Sequence, residues 1–102
     1  MRIIAGKYKG RRLVAFKAKH IRPTTDRVKE TLFNILGDSV SDAKVLDLFA
    51  GTGNVALEFL SRGAQQVEAV ESSRKSIEIL EKIKSFWRSK TSILLKVMSF
   101  NI

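Results

Sequence analysis

The sequence predicts an α/β fold built on a parallel sheet, and two observations support this prediction. An apolar run, Val45–Phe49, leads into a glycine turn, Gly51-Thr52-Gly53, and then into a helix that begins near Asn54. Further short apolar runs alternate with helical patterns along the rest of the chain. Continuous apolar runs are typical of parallel strands that are covered on both faces, and alternating strands and helices are typical of parallel sheets. We therefore expect Val45–Phe49 to be a buried strand.

The first elements along the chain are predicted to be two short strands. Arg2–Ala5 and Arg12–Phe16 flank the turn-forming residues Gly6 and Gly10. Short runs of this kind around glycines are typical of a β-hairpin. Residues 1–20 are therefore expected to form a basic β-hairpin arm, followed by the main domain over residues 21–102.

The first helix is predicted to begin at Pro23 and Thr24 and to end at Gly37. Its apolar residues recur at helical spacing and are expected to face the sheet: Val28, Leu32, Ile35 and Leu36. The opposite side and the leading turn are polar, and carry Arg22, Thr25, Asp26, Arg27 and Lys29. The pattern predicts a surface helix with these polar groups in solvent.

Two more helices and two more strands complete the prediction. The second helix has a face formed by Val55, Leu57, Phe59 and Leu60, and ends at Gly63. The strand Val67–Val70, closed by Glu71, follows. A third helix from about Ser73 to Arg88 is expected to contribute Ile77, Leu80, Ile83, Phe86 and Trp87 to the core. The last strand is Ile93–Met98.

Composition indicates one domain and excludes several kinds of site. The 102 residues are 44% apolar, which is enough for one core. The chain has no cysteine and one histidine, so neither a disulfide framework nor a cysteine or histidine metal centre is expected. Its apolar runs are shorter than the roughly 20 residues that span a bilayer. We expect a cytoplasmic protein without a metal.

Positive charge is concentrated near the N-terminus. The chain has a net charge of +9, and residues 1–30 hold ten Lys and Arg against two acids. Six of these cations lie close together, with Tyr8 and Phe16 available for base stacking: Lys7, Lys9, Arg11, Arg12, Lys17 and Lys19. Such a segment favours a polyanion such as nucleic acid, although a solvated charged surface would have the same composition.

The glycine turn predicts a nucleotide-type cofactor. Gly51–Ala56 fits the dinucleotide pattern G-x-G-x-x-A, and Glu71, at a strand end, could accept ribose hydroxyls. Asp47 favours a different ligand, because a carboxylate there would repel a pyrophosphate but attract a cationic amine. S-adenosylmethionine carries such an amine. A nicotinamide cofactor stays open, as do plain structural roles for Asp47 as a helix-cap partner and Glu71 as a solvated strand end.

Four motifs in order resemble a known family. They are Arg2-Ile3-Ile4-Ala5-Gly6, Gly10-Arg11-Arg12-Leu13, the segment from Arg22-Pro23-Thr24-Thr25-Asp26-Arg27 to Glu30, and Leu46-Asp47-Leu48-Phe49-Ala50-Gly51-Thr52-Gly53. Together they resemble the bacterial methyltransferases that modify a guanine N2 in small-subunit (16S) ribosomal RNA. The resemblance extends from Met1 to about Glu71. It implies a class I S-adenosylmethionine-dependent methyltransferase fold with a Rossmann-like sheet.

The resemblance also implies roles for individual residues. Asp47 and Gly51 are expected to line the methionine end of the cofactor, and Glu71 to hold its ribose. The full cofactor-binding set is Asp47, Phe49, Ala50, Gly51, Thr52, Gly53, Glu71 and Ser72. Ribosomal RNA, or the small ribosomal subunit, is the expected partner, and the RNA-binding set is Lys7, Lys9, Arg11, Arg12, Arg22, Thr24 and Arg27.

The sequence also departs from the family pattern. Family members carry Asn or Asp followed by Pro-Pro and an aromatic residue, which orient the target base, and here the only proline is Pro23. The residue that touches adenine is not evident either, since Lys96, Ser99 and Asn101 occupy that region. We expect a truncated sheet whose first strand has an uncovered edge, and we assign no catalytic residue. A noncatalytic RNA-binding module with a vestigial cofactor pocket is the alternative.

Overall fold

A computed structural model describes residues 2–12, 25–48, 50–51, 53–88 and 94–99. The elements in chain order are helix α1 (Asp26–Leu36), a short 3-10 helix (Gly37–Val40), strand β1 (Lys44–Asp47), helix α2 (Asn54–Ser61), strand β2 (Gln66–Glu71), helix α3 (Arg74–Arg88) and strand β3 (Leu95–Ser99). The α/β class and the parallel sheet are confirmed.

The three described strands form one parallel sheet in the order β1-β2-β3. Val45 pairs with Val67, and Val67 pairs with Leu95 on its other side. The central strand β2 buries Val67 and Ala69 completely. Because the strands are parallel, their carboxyl ends lie at one edge of the sheet, and that edge contains Asp47 and Glu71.

Strand β1 is less buried than the apolar run Val45–Phe49 predicted. Val45 packs against the core, whereas Leu46 is 57% exposed and Leu48 is 54% exposed. Successive side chains of a strand point to opposite faces, and in the described structure β1 is covered on the Val45 face alone. The described residues therefore do not provide the cover on both faces that was predicted. The expected uncovered apolar edge is present in the described sheet, where β1 is an outer strand.

Helix α1 has the predicted position but a different buried face. Thr25 caps it by accepting a hydrogen bond from the Val28 N–H, and Gly37 ends it with φ +52°. Val28 and Ile35, which were expected to face the sheet, are exposed. Lys29 and Phe33 are buried instead. The Phe33 ring packs on Phe59 with a centroid distance of 4.6 Å, which turns α1 away from the face that its aliphatic residues predicted.

Helices α2 and α3 contribute half of the main core cluster, and the periodicity predicted most of these residues. Leu57 and Leu60 of α2 are buried, as are Leu80, Ile83 and Trp87 of α3. Phe86 was predicted to be a core residue, but it is 49% exposed because it lies on the side of α3 that faces away from the sheet. Strand β3 begins at Leu95, and Ile93 lies outside the described residues.

The basic arm packs on the domain. Arg2 and Arg12 form an antiparallel bridge, and the Ile3 N–H donates to the Arg11 carbonyl at 2.9 Å. This is a single bridge pair, and the described residues do not form the strand that was predicted over Arg2–Ala5. The rest of the predicted hairpin, residues 13–20, lies outside the described residues. Ile3 and Tyr8 belong to the main core cluster. Residues 2–12 are therefore part of the folded body.

Tyr8 does not have the role that the sequence suggested. Its ring meets the Trp87 ring edge to face at a centroid distance of 5.4 Å, and the residue is only 8% exposed. Base stacking needs an open ring face, so the prediction that Tyr8 is available for stacking was wrong. Phe16 lies outside the described residues.

Among the described helices, none is long and apolar enough to cross a membrane.

Candidate functional site

The glycine turn between β1 and α2 has the backbone conformation that its glycines permit. Gly51 has φ +55° and Gly53 has φ +82°, a region in which a side chain is strained. The Ala50 N–H donates to the Val70 carbonyl at 3.1 Å, and the Gly53 N–H donates to the Ala50 carbonyl at 2.9 Å. These bonds fix the turn against β2. Phe49 and Thr52 lie outside the described residues.

The two glycines are required for different reasons. A Cβ at Gly51 would enter open space, whereas a Cβ at Gly53 would lie 2.9 Å from Cδ2 of Leu80. Gly53 therefore allows α3 to pack closely on the turn. A side chain at this position would meet the core rather than a ligand. Gly51 is the glycine on the open side.

Helix α2 begins directly after the turn. Gly53 is its N-cap residue, and a glycine has no side chain with which to cap the first turn. The N-terminus of a helix carries partial positive charge, and its first N–H groups have no intrahelical acceptor. The turn thus brings backbone donors to the carboxyl edge of the sheet.

Glu71 connects the glycine turn to the next turn of the chain. Its Oε1 accepts a hydrogen bond from the Gly51 N–H at 3.0 Å. Its Oε2 accepts from the Ser72 N–H at 3.0 Å and from the Ser73 N–H at 2.8 Å. A carboxylate offers about four acceptor positions, so about one remains. Glu71 is therefore a hydrogen-bonded strand end and not a purely solvated one.

Asp47 ends β1 at the same edge of the sheet. It pairs in register with Ala69, two residues before Glu71, and it is partly buried. The described members of the predicted cofactor set, Asp47, Ala50, Gly51, Gly53, Glu71 and Ser72, thus belong to two neighbouring turns. Carboxylates and backbone N–H groups together can hold a ligand that carries hydroxyls and a cationic amine.

Next to this edge lies a buried charge network that sequence reasoning missed. Lys29 and Glu58 are both fully buried, and Nζ of Lys29 lies 3.1 Å from Oε1 of Glu58. Arg62 donates from Nε to Oε2 of Glu58 at 2.7 Å. Lys29 was predicted to be in solvent. A sequence signal existed, since Glu58 lies in the middle of an apolar helix with Asn54 and Arg62 four residues away on either side.

The network stabilises the charged form of Glu58. Burial works to raise the pKa of its carboxyl, but the hydrogen bond from the Ile4 N–H and the contacts with Arg62 and Lys29 outweigh that effect. The pKa of Glu58 is therefore lowered from 4.5. A buried carboxylate with two cationic partners and two backbone donors is charged at neutral pH.

The same network holds the arm in place. The Ile4 N–H donates to Oε1 of Glu58 at 2.9 Å, and the Ala5 N–H donates to Oε2 at 3.1 Å. Gly6 has φ +89°, and a Cβ there would overlap the Ser61 carbonyl. Close backbone contact and a buried acceptor thus fix the arm on α2.

The described cations of the predicted RNA-binding set lie on the surface. Lys7, Lys9, Arg11 and Arg12 are exposed on the arm, and Arg27 is exposed on α1. The Arg11 guanidinium lies 5.3 Å from the Tyr8 ring and 5.4 Å from the Trp87 ring, so it stacks on the core aromatics. The exposed arm presents positive charge without an exposed tyrosine. Arg22 and Thr24 lie outside the described residues.

Two described cavities lie away from the glycine turn. Each has a volume of about 320 Å³. One is lined by Phe33, Asp38 and Arg62, and the other by Lys7 and Gln65 among others. Gln65 immediately precedes β2, so the second cavity lies at the amino end of the strands, opposite the edge with Asp47 and Glu71.

Comparison with known proteins identifies relatives along most of the chain. The family model described as Conserved hypothetical protein 95 matches residues 1–97. The ribosomal RNA small subunit methyltransferase D of Escherichia coli strain K12 is 49% identical over 74 residues, which are 72% of this chain and 37% of the relative. The protein of the same name from Haemophilus influenzae is 44% identical over 82 residues, which are 80% of this chain and 42% of the relative.

Solved structures have the same fold. The Escherichia coli protein yhhF, described as a candidate methyltransferase, is 38% identical with a TM-score of 0.81, and the match covers 99% of this chain and 52% of that one. A hypothetical protein of Thermus thermophilus, TTHA0928, is 27% identical with a TM-score of 0.78, and the match covers 100% of this chain and 56% of that one. The chain thus spans about half the length of these structures and less of the curated relatives.

Proposed function

Because this chain belongs to the family described as Conserved hypothetical protein 95, whose matching relatives include small-subunit ribosomal RNA methyltransferases, we propose that it contributes to methylation of a guanine N2 in small-subunit ribosomal RNA. Its part is to bind S-adenosylmethionine and RNA. The main supporting observation is the Glu71 carboxylate, which accepts the Gly51 N–H at the same sheet edge that carries Asp47. A ribosomal RNA substrate would place the protein in the cytoplasm.

The residues at the sheet edge fit the cofactor by their chemistry. Asp47 supplies a negative charge for the cationic amine, and the partial positive charge at the start of α2 suits a carboxylate. Glu71 has about one acceptor position left, so it can accept one ribose hydroxyl while its three backbone donors stay bound. Gly51 leaves open space for close approach. The cofactor supplies a methyl group on a sulfonium.

The arm would bind RNA mainly through phosphates. Lys7, Lys9, Arg11 and Arg12 are exposed, whereas Tyr8 is buried against Trp87. Within residues 2–12, the described part of the arm, no aromatic ring is exposed, and cations in such a segment favour sequence-independent contact with the RNA backbone, which weakens as salt rises. The arm would thus hold the RNA backbone, and other groups would have to orient the guanine.

A cofactor titration tests the proposal. Calorimetry of the chain with S-adenosylmethionine should show binding, whereas NAD should show none, because its pyrophosphate would face Asp47. If NAD binds and S-adenosylmethionine does not, the nicotinamide alternative is correct. If neither binds while RNA does, the noncatalytic RNA-binding module is the better description.

A quadruple variant tests the RNA contact. Changing Lys7, Lys9, Arg11 and Arg12 to Ala should reduce RNA affinity and flatten its dependence on salt, since each lost phosphate contact removes about one released counterion. Cofactor affinity should stay the same. An unaltered salt slope would mean that these cations form only a solvated surface.

Methyl transfer by residues 1–102 alone is expected to be undetectable. Transfer requires the guanine amine to be aligned with the methyl carbon, and a misplacement of about 1 Å can cost about a hundredfold in rate. The sequence contains no Pro-Pro segment to orient the base. Incubation with tritiated cofactor and unmethylated small-subunit particles, beside a full-length relative as positive control, measures this, and label in the guanine would contradict it.

A further inference from the structure

The Lys29 ammonium contacts three separate parts of the molecule. Its Nζ donates to the Arg2 carbonyl at 2.7 Å, to Oδ1 of Asn54 at 2.9 Å and to Oε1 of Glu58 at 3.1 Å. An ammonium has three hydrogens, so all its donors are used. Arg2 belongs to the arm, and Asn54 is the first residue of α2, directly after Gly53. One side chain of α1 therefore joins the arm to the end of the glycine turn.

Burial makes this connection stiff. Lys29 and Glu58 are fully buried, and a buried charge is costly unless it is paired and hydrogen-bonded. If the arm moved away, the ammonium would lose the Arg2 carbonyl; if α2 shifted at its start, it would lose Asn54. Either movement is resisted by the same charged group. The positions of the arm and of the first turn of α2 are thus linked.

The other contacts of the arm do not reach the glycine turn. The Tyr8 N–H donates to Oγ of Ser61 at 3.0 Å, and Ser61 donates in turn to the Ala5 carbonyl at 2.7 Å. Ser61 is the last residue of α2, far from Asn54 at its start. Ser61 therefore holds the arm without touching the turn, which makes it a matched control for Lys29.

We propose that Lys29 is a positioning residue that couples RNA binding by the arm to cofactor binding at the glycine turn. The proposal rests on the proposed function for the identity of the two ligands. RNA phosphates that fix the arm also fix the Arg2 carbonyl, and Lys29 transmits this constraint to Asn54 and the start of α2. Coupling between two binding sites is reciprocal, so the cofactor should strengthen RNA binding by the same factor.

Amide hydrogen exchange tests the link without any ligand. In Lys29→Met, the Glu58 carboxylate keeps its bonds from Ile4, Ala5 and Arg62, so folding should be retained. Exchange relative to Ala69 in the central strand should rise about tenfold at Ile4 and also at Gly53 and Leu57, because bonds to a charged donor are lost. Ser61→Ala should raise exchange at Tyr8 and leave Gly53 and Leu57 unchanged.

Asn54→Ala provides a second way to break the link. It removes the acceptor at the turn and leaves the Lys29–Glu58 pair intact. Exchange at Gly53 and Leu57 should rise as it does in Lys29→Met, and the double variant should add little. Unchanged exchange at both amides in Asn54→Ala would overturn the proposal, and this result can be obtained even if Lys29→Met is too unstable to study.

Binding measurements test the coupling itself. The affinity for S-adenosylhomocysteine is measured with and without a small-subunit ribosomal RNA transcript. RNA should tighten binding about fivefold or more in the unchanged protein and in Ser61→Ala, and less than about twofold in Lys29→Met. Equal affinities with and without RNA in the unchanged protein, or undiminished coupling in Lys29→Met, would overturn the proposal. If neither ligand binds, the proposed function fails, and the exchange pattern alone decides whether Lys29 links the two regions.

Discussion

The glycine turn and the Lys29–Glu58 network are neighbours along α2, but they are held by different kinds of interaction. The turn is fixed by backbone hydrogen bonds and by one partly exposed carboxylate, Glu71. The network is fixed by fully buried charges from α1 and α2 that also bind the arm. The turn therefore has open space at Gly51, whereas the network fixes the position of the arm against α2.

Loss of Glu58 should have the largest effect on stability. Glu58→Ala would leave Lys29 buried without its carboxylate, and breaking such a pair costs about 3–5 kcal/mol. Urea unfolding measures the change in free energy. Glu78→Ala, an exposed position on α3, is the control and should change stability by less than about 0.5 kcal/mol. Equal losses would show that burial of the pair is not what stabilises this region.

Replacing each glycine of the turn with alanine should show which glycine packs against the core and which one faces open space. Gly53→Ala should destabilise by about 2–4 kcal/mol, because the positive φ is strained and the Cβ would meet Leu80. Gly51→Ala has only the strain of its positive φ, about 1–2 kcal/mol. Thermal unfolding of both variants gives the order. A lower stability of Gly51→Ala than of Gly53→Ala would contradict the open space around Gly51.

Asp47→Ala should affect cofactor binding more than stability. The loss should be about 1.5–3 kcal/mol in binding free energy if the carboxylate accepts a hydrogen bond from the charged amine. Calorimetric titration with S-adenosylmethionine, both in this chain and in a full-length relative, measures this loss in binding free energy. Glu68 lies on β2 before the carboxyl edge, so Glu68→Ala serves as the control. Unchanged affinity in Asp47→Ala would remove Asp47 from the site.

Acid should weaken the Lys29–Glu58 network. The resulting loss in the free energy of unfolding should be smaller than the losses caused by the substitutions above. The pKa of Glu58 is lowered from 4.5 in the folded protein, so its contribution to stability is complete above pH 4.5 and is lost as the pH falls through the lowered value. The free energy of unfolding should therefore decline with falling pH in that range. Glu58→Gln should be less stable at pH 7 and show a shallower decline. Parallel pH profiles for the two proteins would contradict the lowered pKa.

Local sequence patterns were sufficient for the elements and for the turn. Alternating strands and helices, the glycines at 51 and 53 and the acids at strand ends predicted a parallel sheet with a polar edge, and the structure confirms these features. Such predictions succeed because strand and helix periods and positive φ values depend on residues that are near in sequence. The family resemblance, confirmed by the match over residues 1–97, rests on the same local motifs.

The tertiary structure decided which side chains are buried and what they contact. The stripe of Val28 and Ile35 on α1 is exposed, while Lys29 is buried, because the Glu58 carboxylate on α2 offers a partner that no local pattern reveals. Tyr8 is a core residue for a similar reason, since Trp87 packs against it from α3. The sequence by itself thus determined the helices and strands of the sheet domain and which acids lie at the sheet edge. Pairing between residues distant in sequence was decided only when packing brought buried charges and rings into contact.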